Sequence, residues 1–227
     1  MVAISLTTMR ARVRVRADMA TTLFVADSAN EIDSFINEGV QMLHEKLVKA
    51  YGSDYSEKTV NFTTDASGEV LLSSVATDFF KLLGVDVANS AGGYTTVHPY
   101  KRAERNRHAV SASELWGATE ARYKLSGGKL RVLPAMVRTG RIWYSPCASL
   151  FDSATPSTTV EFYNGWERYV VVYAAIQCMM KEESDTAGLE RLLEAMDRQL
   201  NEIIENRDAG EAMHAVDVEG TDAVWWP

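Results

Sequence analysis

From Val160 to Lys181 the chain is apolar on nearly every face of a helix, with Phe162, Trp166, Tyr169, Val170, Tyr173, Ile176 and Met180 spread around the axis. A helix with no polar side must be enclosed by other elements. The stretch therefore predicts a helix over 160–182 that the remaining chain has to surround. Ser184 or Asp185 then offers a cap, and Leu189, Leu192, Leu193, Met196, Leu200 and Ile203 recur on one stripe with acidic residues opposite. That pattern predicts a second helix over 186–206, antiparallel to the first.

Two upstream segments can supply the cover. Ser28 followed by Glu31 has the spacing of a capping box, and Ile32, Phe35, Ile36, Val40, Leu43 and Leu47 follow at helical spacing, predicting a helix over 28–51 that stops at Gly52. Residues Met9 to Asp18 alternate apolar and polar, as a strand does, yet Leu6, Met9, Val13 and Ala17 also fall on one helical stripe. The local pattern fits both.

Between these helical segments the texture changes. Val60–Thr64, Lys81–Val87, Tyr94–His98, Ala121–Leu125, Leu130–Leu133 and Arg141–Tyr144 are short, turn-bounded and rich in strand formers. Asp65–Gly68, Ser90–Gly93 and Ser126–Lys129 read as hairpin turns, and Lys101–Arg107 as a short helical excursion. The expected fold class is α+β: mainly a helical bundle of about four helices, with an inserted small antiparallel β-sheet and an extended C-terminal arm. The bundle would comprise 1–52 and 160–207, the β-rich insertion 53–159, and the arm 208–227. A Ser/Thr/Pro stretch, Ser153–Thr159, closes the insertion.

The net charge of −8 conceals an asymmetry. Residues 182–227 hold thirteen acidic side chains against Arg191, Arg198 and Arg207, a balance of −10 that leaves +2 for residues 1–181. Net acidity argues against a grip on nucleic acid, which needs basic groups to displace counterions. No apolar run approaches the ~20 residues a membrane span needs. The first thirty residues are charged and lack a signal-like apolar run, so secretion is not expected, and Cys147 and Cys178 without ligand-spaced neighbours suit a reducing compartment.

Chemistry is scarce in the motifs. His44, His98, His108 and His214 have no second donor at ligand spacing, so surface or core-edge duty and no metal site are expected. Gly127-Gly128-Lys129 lacks the flanking Gly and Ser/Thr of a phosphate-binding loop, since Tyr123 and Leu130 stand there. Glu182 and Glu183 would be the acid–base pair of a cell-wall hydrolase, but they sit at a helix junction without the apolar surroundings that raise a carboxyl pKa. No enzyme activity and no cofactor are expected. Basic residues cluster at Arg10, Arg12, Arg14 and Arg16, and again at His98, Lys101, Arg102, Arg105, Arg107 and His108. These are candidates for contact with the acidic second half of a neighbouring copy, a head-to-tail arrangement that closes into a ring. Val224-Trp225-Trp226-Pro227 in a polar tail suits an anchor on a partner, because tryptophan buries large area at low entropic cost.

The order and spacing of several segments resemble the head-to-tail adaptor (connector) proteins of tailed bacteriophages. They are Leu6 to Arg14, Ile32-Asp33-x-x-Ile36-Asn37-Glu38, Asp78 to Asp86, Ala103 to Arg107, Tyr123 to Ala135, Asn164 to Val171, Lys181 to Asp185 and Asn206 to Glu211. The resemblance covers residues 6 to 211. It implies a helix over Leu6–Asp18, copies assembling as a ring, typically of twelve, on a portal protein, and a central channel through which DNA passes without specific binding. It implies further a downstream tail or neck protein as partner, residence at the head–tail neck of the virion after assembly in the host cytoplasm, and an arm reaching the portal through Val224–Pro227. A stopper or a tail terminator is the alternative neck component, usually richer in β-structure and lacking the long C-terminal helix pair.

Overall fold

The computed structural model describes residues 2–19, 31–51, 55–101, 121–162 and 165–205. In chain order these form β1 (Val2–Ser5), α1 (Leu6–Arg16), α2 (Glu31–Tyr51), β2 (Lys58–Thr63), β3 (Glu69–Leu71), α3 (Leu72–Val75), β4 (Phe79–Ala88), β5 (Tyr94–Pro99), β6 (Arg122–Ser126), β7 (Lys129–Leu133), β8 (Thr139–Pro146), β9 (Thr159–Phe162), α4 (Glu167–Lys181) and α5 (Ala187–Glu205).

The enclosed helix, α4, begins at Glu167 and not at 160, because Thr159–Phe162 is a strand that pairs antiparallel with β1, Val2 facing Phe162. Val160 and Phe162 are buried from that strand, so alternation and helical spacing gave the same apolar residues. α1, α2 and α5 all pack against α4. At the α2–α4 crossing the helices come so close that a Cβ on Gly39 would sit 3.1 Å from the Tyr173 ring. In α5, Leu189, Leu192, Leu193, Met196 and Leu200 join this core, and Asp185 Oδ1 accepts from the Ala187 amide at 3.0 Å, capping the helix. The ambiguous segment after residue 5 is a helix. Ser5 Oγ accepts from the Thr8 amide, Leu6, Met9, Val13 and Ala17 are buried on one stripe, and the left-handed Asp18, φ 54°, ends it.

The expectation of a mainly helical bundle with a small antiparallel sheet is overturned. Among the described residues there are five helices, one of them a single turn, and a seven-stranded mixed sheet in the order β2-β8-β4-β5-β6-β7-β3, with β5 and β6 parallel, His98 facing Arg122. β2 and β3 lie at opposite ends of that order, yet only five residues separate them in sequence. Such a short link keeps both edges together, so the sheet curls until it is nearly a barrel. The turn expected at Asp65–Gly68 is therefore the seam of the barrel and not a hairpin. Its amides and hydroxyl are tied to the neighbouring strands: Thr64 bonds Arg138 and Met136, and Gly68 O accepts from the Val132 amide at 2.8 Å. The Ser126–Lys129 and Ser90–Gly93 turns are hairpins. A second apolar core, with Phe62, Val85, Val87, Leu130, Val132 and Ile142, fills this unit.

The cap at Ser28, the stop at Gly52 and the segment 102–107 fall outside the described residues. Lys101 itself is exposed and non-helical.

Gly68 has φ +75°, and a Cβ there would lie 2.5 Å from the Val132 carbonyl oxygen. Left-handed strain costs about 1–2 kcal/mol, and the backbone clash adds to it. Gly68→Ala should lower unfolding stability by at least ~2 kcal/mol in denaturant titration, whereas Gly127→Ala, left-handed but facing open space, should cost about 1 kcal/mol.

Candidate functional site

The arginines at 10, 12, 14 and 16 form one cluster in sequence and two in space. Successive residues on an α-helix turn by about 100°, so Arg10 and Arg14 fall on one flank of α1 and Arg12 and Arg16 on the other. The first flank faces α2. Arg10 Nε donates to Asp33 Oδ1 at 2.7 Å and Nη2 to Oδ2 at 2.5 Å, while Ser153 Oγ donates to Oδ2 at 2.6 Å. Asp33 is only 2% exposed. Burial pushes its carboxyl upward, but hydrogen bonds from Arg10 and Ser153 and the charges of Arg10 and Arg14 outweigh that and hold it below the ordinary 3.8. One helical turn on, Asn37 accepts from the Phe151 amide and donates to its carbonyl. The Ile32-Asp33-x-x-Ile36-Asn37 run thus locks α1 and the 151–153 segment to α2. Arg10, one of the expected inter-subunit residues, is engaged in this lock within its own subunit. Arg14 is half-buried on the same flank.

The second flank faces outward. Arg16 is exposed, Arg12 lies 3.5 Å from Glu167 Oε1, and Val15 between them is 83% exposed. A groove of about 630 Å³ runs here between Ala11, Arg12, Val15 and Arg16 of α1 and Arg168 and Val171 of α4. Its lining is apolar at Ala11, Val15 and Val171, and three arginines there face one acid, Glu167. Neither the groove nor Arg168 was anticipated. The signal was Val15, an apolar residue that the Leu6/Met9/Val13/Ala17 stripe leaves on the opposite side.

The other expected positions are dispersed. His98, on β5, and Lys101 are exposed, while Arg102, Arg105, Arg107, His108, His214 and the anchor Val224, Trp225, Trp226 and Pro227 lie outside the described residues. Glu182 and Glu183 are exposed in the turn between α4 and α5. Both cysteines are free: Cys147 is exposed, and Cys178 is buried in the helical core, where burial raises its thiol to about 11. Among the described residues no three His, Cys, Asp or Glu side chains converge as a metal site, and no helix is long and apolar enough to cross a membrane.

A cavity of about 360 Å³ separates the helical core from the barrel, lined by Leu43, His44, Tyr55, Lys58, Asp78 and Cys147 among others. Asp78 binds both Lys58 Nζ, at 2.6 Å, and Tyr144 Oη, at 2.8 Å. His44 is 6% exposed and packs its ring against Tyr55 and Phe80, with Nε2 unpartnered among the described residues. Burial drives its pKa below 6.5, opposed in part by a hydrogen bond to Pro146 and the charge of Glu45. This is core-edge duty where α2 meets β4, through the His44–Phe80 ring contact.

Against known proteins, the model of the SU10 adaptor protein family matches residues 4–219. The chain belongs to that family. No curated protein matches it. An SU10 adaptor is a structural component of a bacteriophage, and interaction with other phage proteins, portal and tail, goes with that role. In this SU10 adaptor the geometry accordingly offers surfaces: a groove with three arginines and an apolar lining on the helical side, and the curled seven-stranded sheet.

Two outcomes follow. Arg10→Ala strands the Asp33 carboxylate and should cost about 2–4 kcal/mol, below the ~3–5 of a fully enclosed pair because 28% of the Arg10 side chain is exposed. Because the Asp33 pKa is depressed on folding, the stability it contributes is present above pH 3.8 and declines as pH falls below it, and Asp33→Asn should flatten that decline. For His44 the depressed pKa of a base gives a second window: the neutral ring suits the fold above pH 6.5, and stability should fall as pH drops through 6.5 because the unfolded chain takes the proton first. Denaturation midpoints at pH 7.5 and 5.5 should show that loss, and His44→Phe should reduce it.

Proposed function

We propose that this protein is a head-to-tail adaptor that assembles as a ring beneath the portal and joins capsid to tail, leaving a central channel through which the genome passes without specific binding. Typically such a ring has twelve copies. The carrying observation is the family match over residues 4–219. The protein works mechanically and has no catalytic role. It resides at the virion neck after assembly in the host cytoplasm.

Within this reading the outward flank of α1, with Arg12 and Arg16, meets the acidic half of the neighbouring copy, and Arg14, Lys101, Arg102, Arg105 and Arg107 remain candidates for further contacts between copies. Val224–Pro227 anchor the arm on the portal, the tryptophan rings supplying most of the buried area. The barrel presents contacts toward the downstream tail or neck protein. Its seven strands make the chain richer in β-structure than a helical adaptor was expected to be, which would suit a stopper or tail terminator. The α4–α5 pair, 15 and 19 residues long, favours the adaptor.

Electron microscopy of the purified protein with and without portal tests the reading. A ring capping one end of the portal is expected. Removing residues 212–227, or changing Trp225→Ala together with Trp226→Ala, should leave a folded protein that no longer binds portal. Undiminished portal binding by the double alanine variant would exclude the anchor, and a position inside the tail tube would exclude the adaptor.

A further inference from the structure

The acidity of the second half of the chain is unevenly spread. The α5 helix holds Glu190, Glu194, Asp197, Glu202 and Glu205 against Arg191 and Arg198, a balance of −3, and Asp197 is paired with Lys46. Its apolar stripe packs on the helical core of its own subunit. The largest share, −5, lies in Asp208–Asp222, which holds Asp208, Glu211, Asp217, Glu219 and Asp222 and no Lys or Arg. Apolar residues are interleaved with those carboxylates: Ala212, Met213, Ala215, Val216 and Val218. In extended backbone, alternate side chains point to opposite sides. Val216-Asp217-Val218-Glu219 would then offer one apolar and one acidic edge.

The α1–α4 groove has the complementary chemistry. Ala11, Val15 and Val171 are its apolar lining, Glu167 lines it too and pairs with Arg12, and Arg16 and Arg168 have no ion-pair partner among the described residues. The turn acids Glu182 and Glu183 lie at the far end of α4 from Arg168, fourteen residues away by number, about 20 Å along a helix. The C-terminal stretch begins much closer. Lys46 pairs with Asp197 and lies 5.1 Å from the Tyr169 ring centre, so the middle of α5 lies near the first turn of α4, at the end of that helix that lines the groove. Ten extended residues beyond α5 reach up to ~35 Å.

We propose that Asp208–Asp222 of one copy docks in the α1–α4 groove of the next copy, its carboxylates on Arg12, Arg16 and Arg168 and its apolar edge on Val15. The contact is heterologous, and repeating it closes a ring where the rotation between copies allows. It leaves Val224–Pro227 beyond the groove, free to anchor elsewhere. The inference deepens the ring reading above and rests on it.

A fluorescent peptide of residues 208–222 titrated into the full-length protein, read by anisotropy, tests the contact. Saturable binding is expected, weakened about tenfold or more by Arg16→Glu or Val15→Asp, both at exposed positions, and weakened by added salt. A peptide carrying Asp217→Arg and Glu219→Arg should lose binding to the unaltered protein and regain it with Arg16→Glu. Absence of saturable binding, or equal affinity for the Arg16→Glu protein, would overturn the docking. So would a protein carrying Cys147→Ser, Val15→Cys and Val218→Cys that oxidises only within single chains, because the segment then occupies its own groove. Rings that form on portal unchanged by Arg16→Glu would sink this contact while leaving the ring intact. Peptide docking that survives with no ring on any portal would sink the ring and, with it, the placement on a next copy.

Discussion

Keeping α4 out of water organises the helical half of this protein. Tyr169, Val170, Val172, Ala174, Ala175 and Cys178 are almost entirely enclosed. Burying a large apolar side chain contributes roughly 1.5–3 kcal/mol, so exposing even one face of α4 would forfeit more than the net stability of many domains. α1, α2 and α5 supply the walls, and the β1–β9 ribbon fixes where the chain enters α4. The bidentate pair of Arg10 with Asp33 holds α1 in register on α2. Once α1 is seated by its buried stripe and by that pair, the opposite flank has to face outward. The groove is a consequence of the packing.

The barrel obeys a different constraint. Its closure depends on a five-residue link between the two edge strands, which leaves little backbone freedom and demands a left-handed residue at Gly68. Within it, Asp86 gathers Thr96, Arg141 and Trp143 on one carboxylate, a satisfied polar knot that tolerates partial burial because every partner donates to it. The two cores meet at His44, Tyr55 and Phe80 beside a small polar cavity.

Much of this was legible in the chain. Short alternating runs located most of the strands between 58 and 146, two of three turns were hairpins as read, and the α5 stripe and its Asp185 cap were explicit. The size of the sheet was not legible, because alternation shows that a segment is a strand but not which distant strand it joins. β4 with β8, and β2 with β8, pair residues more than fifty positions apart. For the same reason Thr159–Phe162 was absorbed into the following helix, since its partner is the first strand of the chain.

Sequence alone determined the segments that had to be buried and the order of pieces that resembles the phage head-to-tail adaptors. These are local or compositional properties, and they survive without knowing any contact. Tertiary structure decided what the arginines do. Four basic residues at alternate positions are equivalent on paper, but a helix turning about 100° per residue sends Arg10 and Arg14 inward to Asp33 and leaves Arg12 and Arg16 outside. A side chain's role depends on which surface its element buries, and that is fixed only when the elements pack.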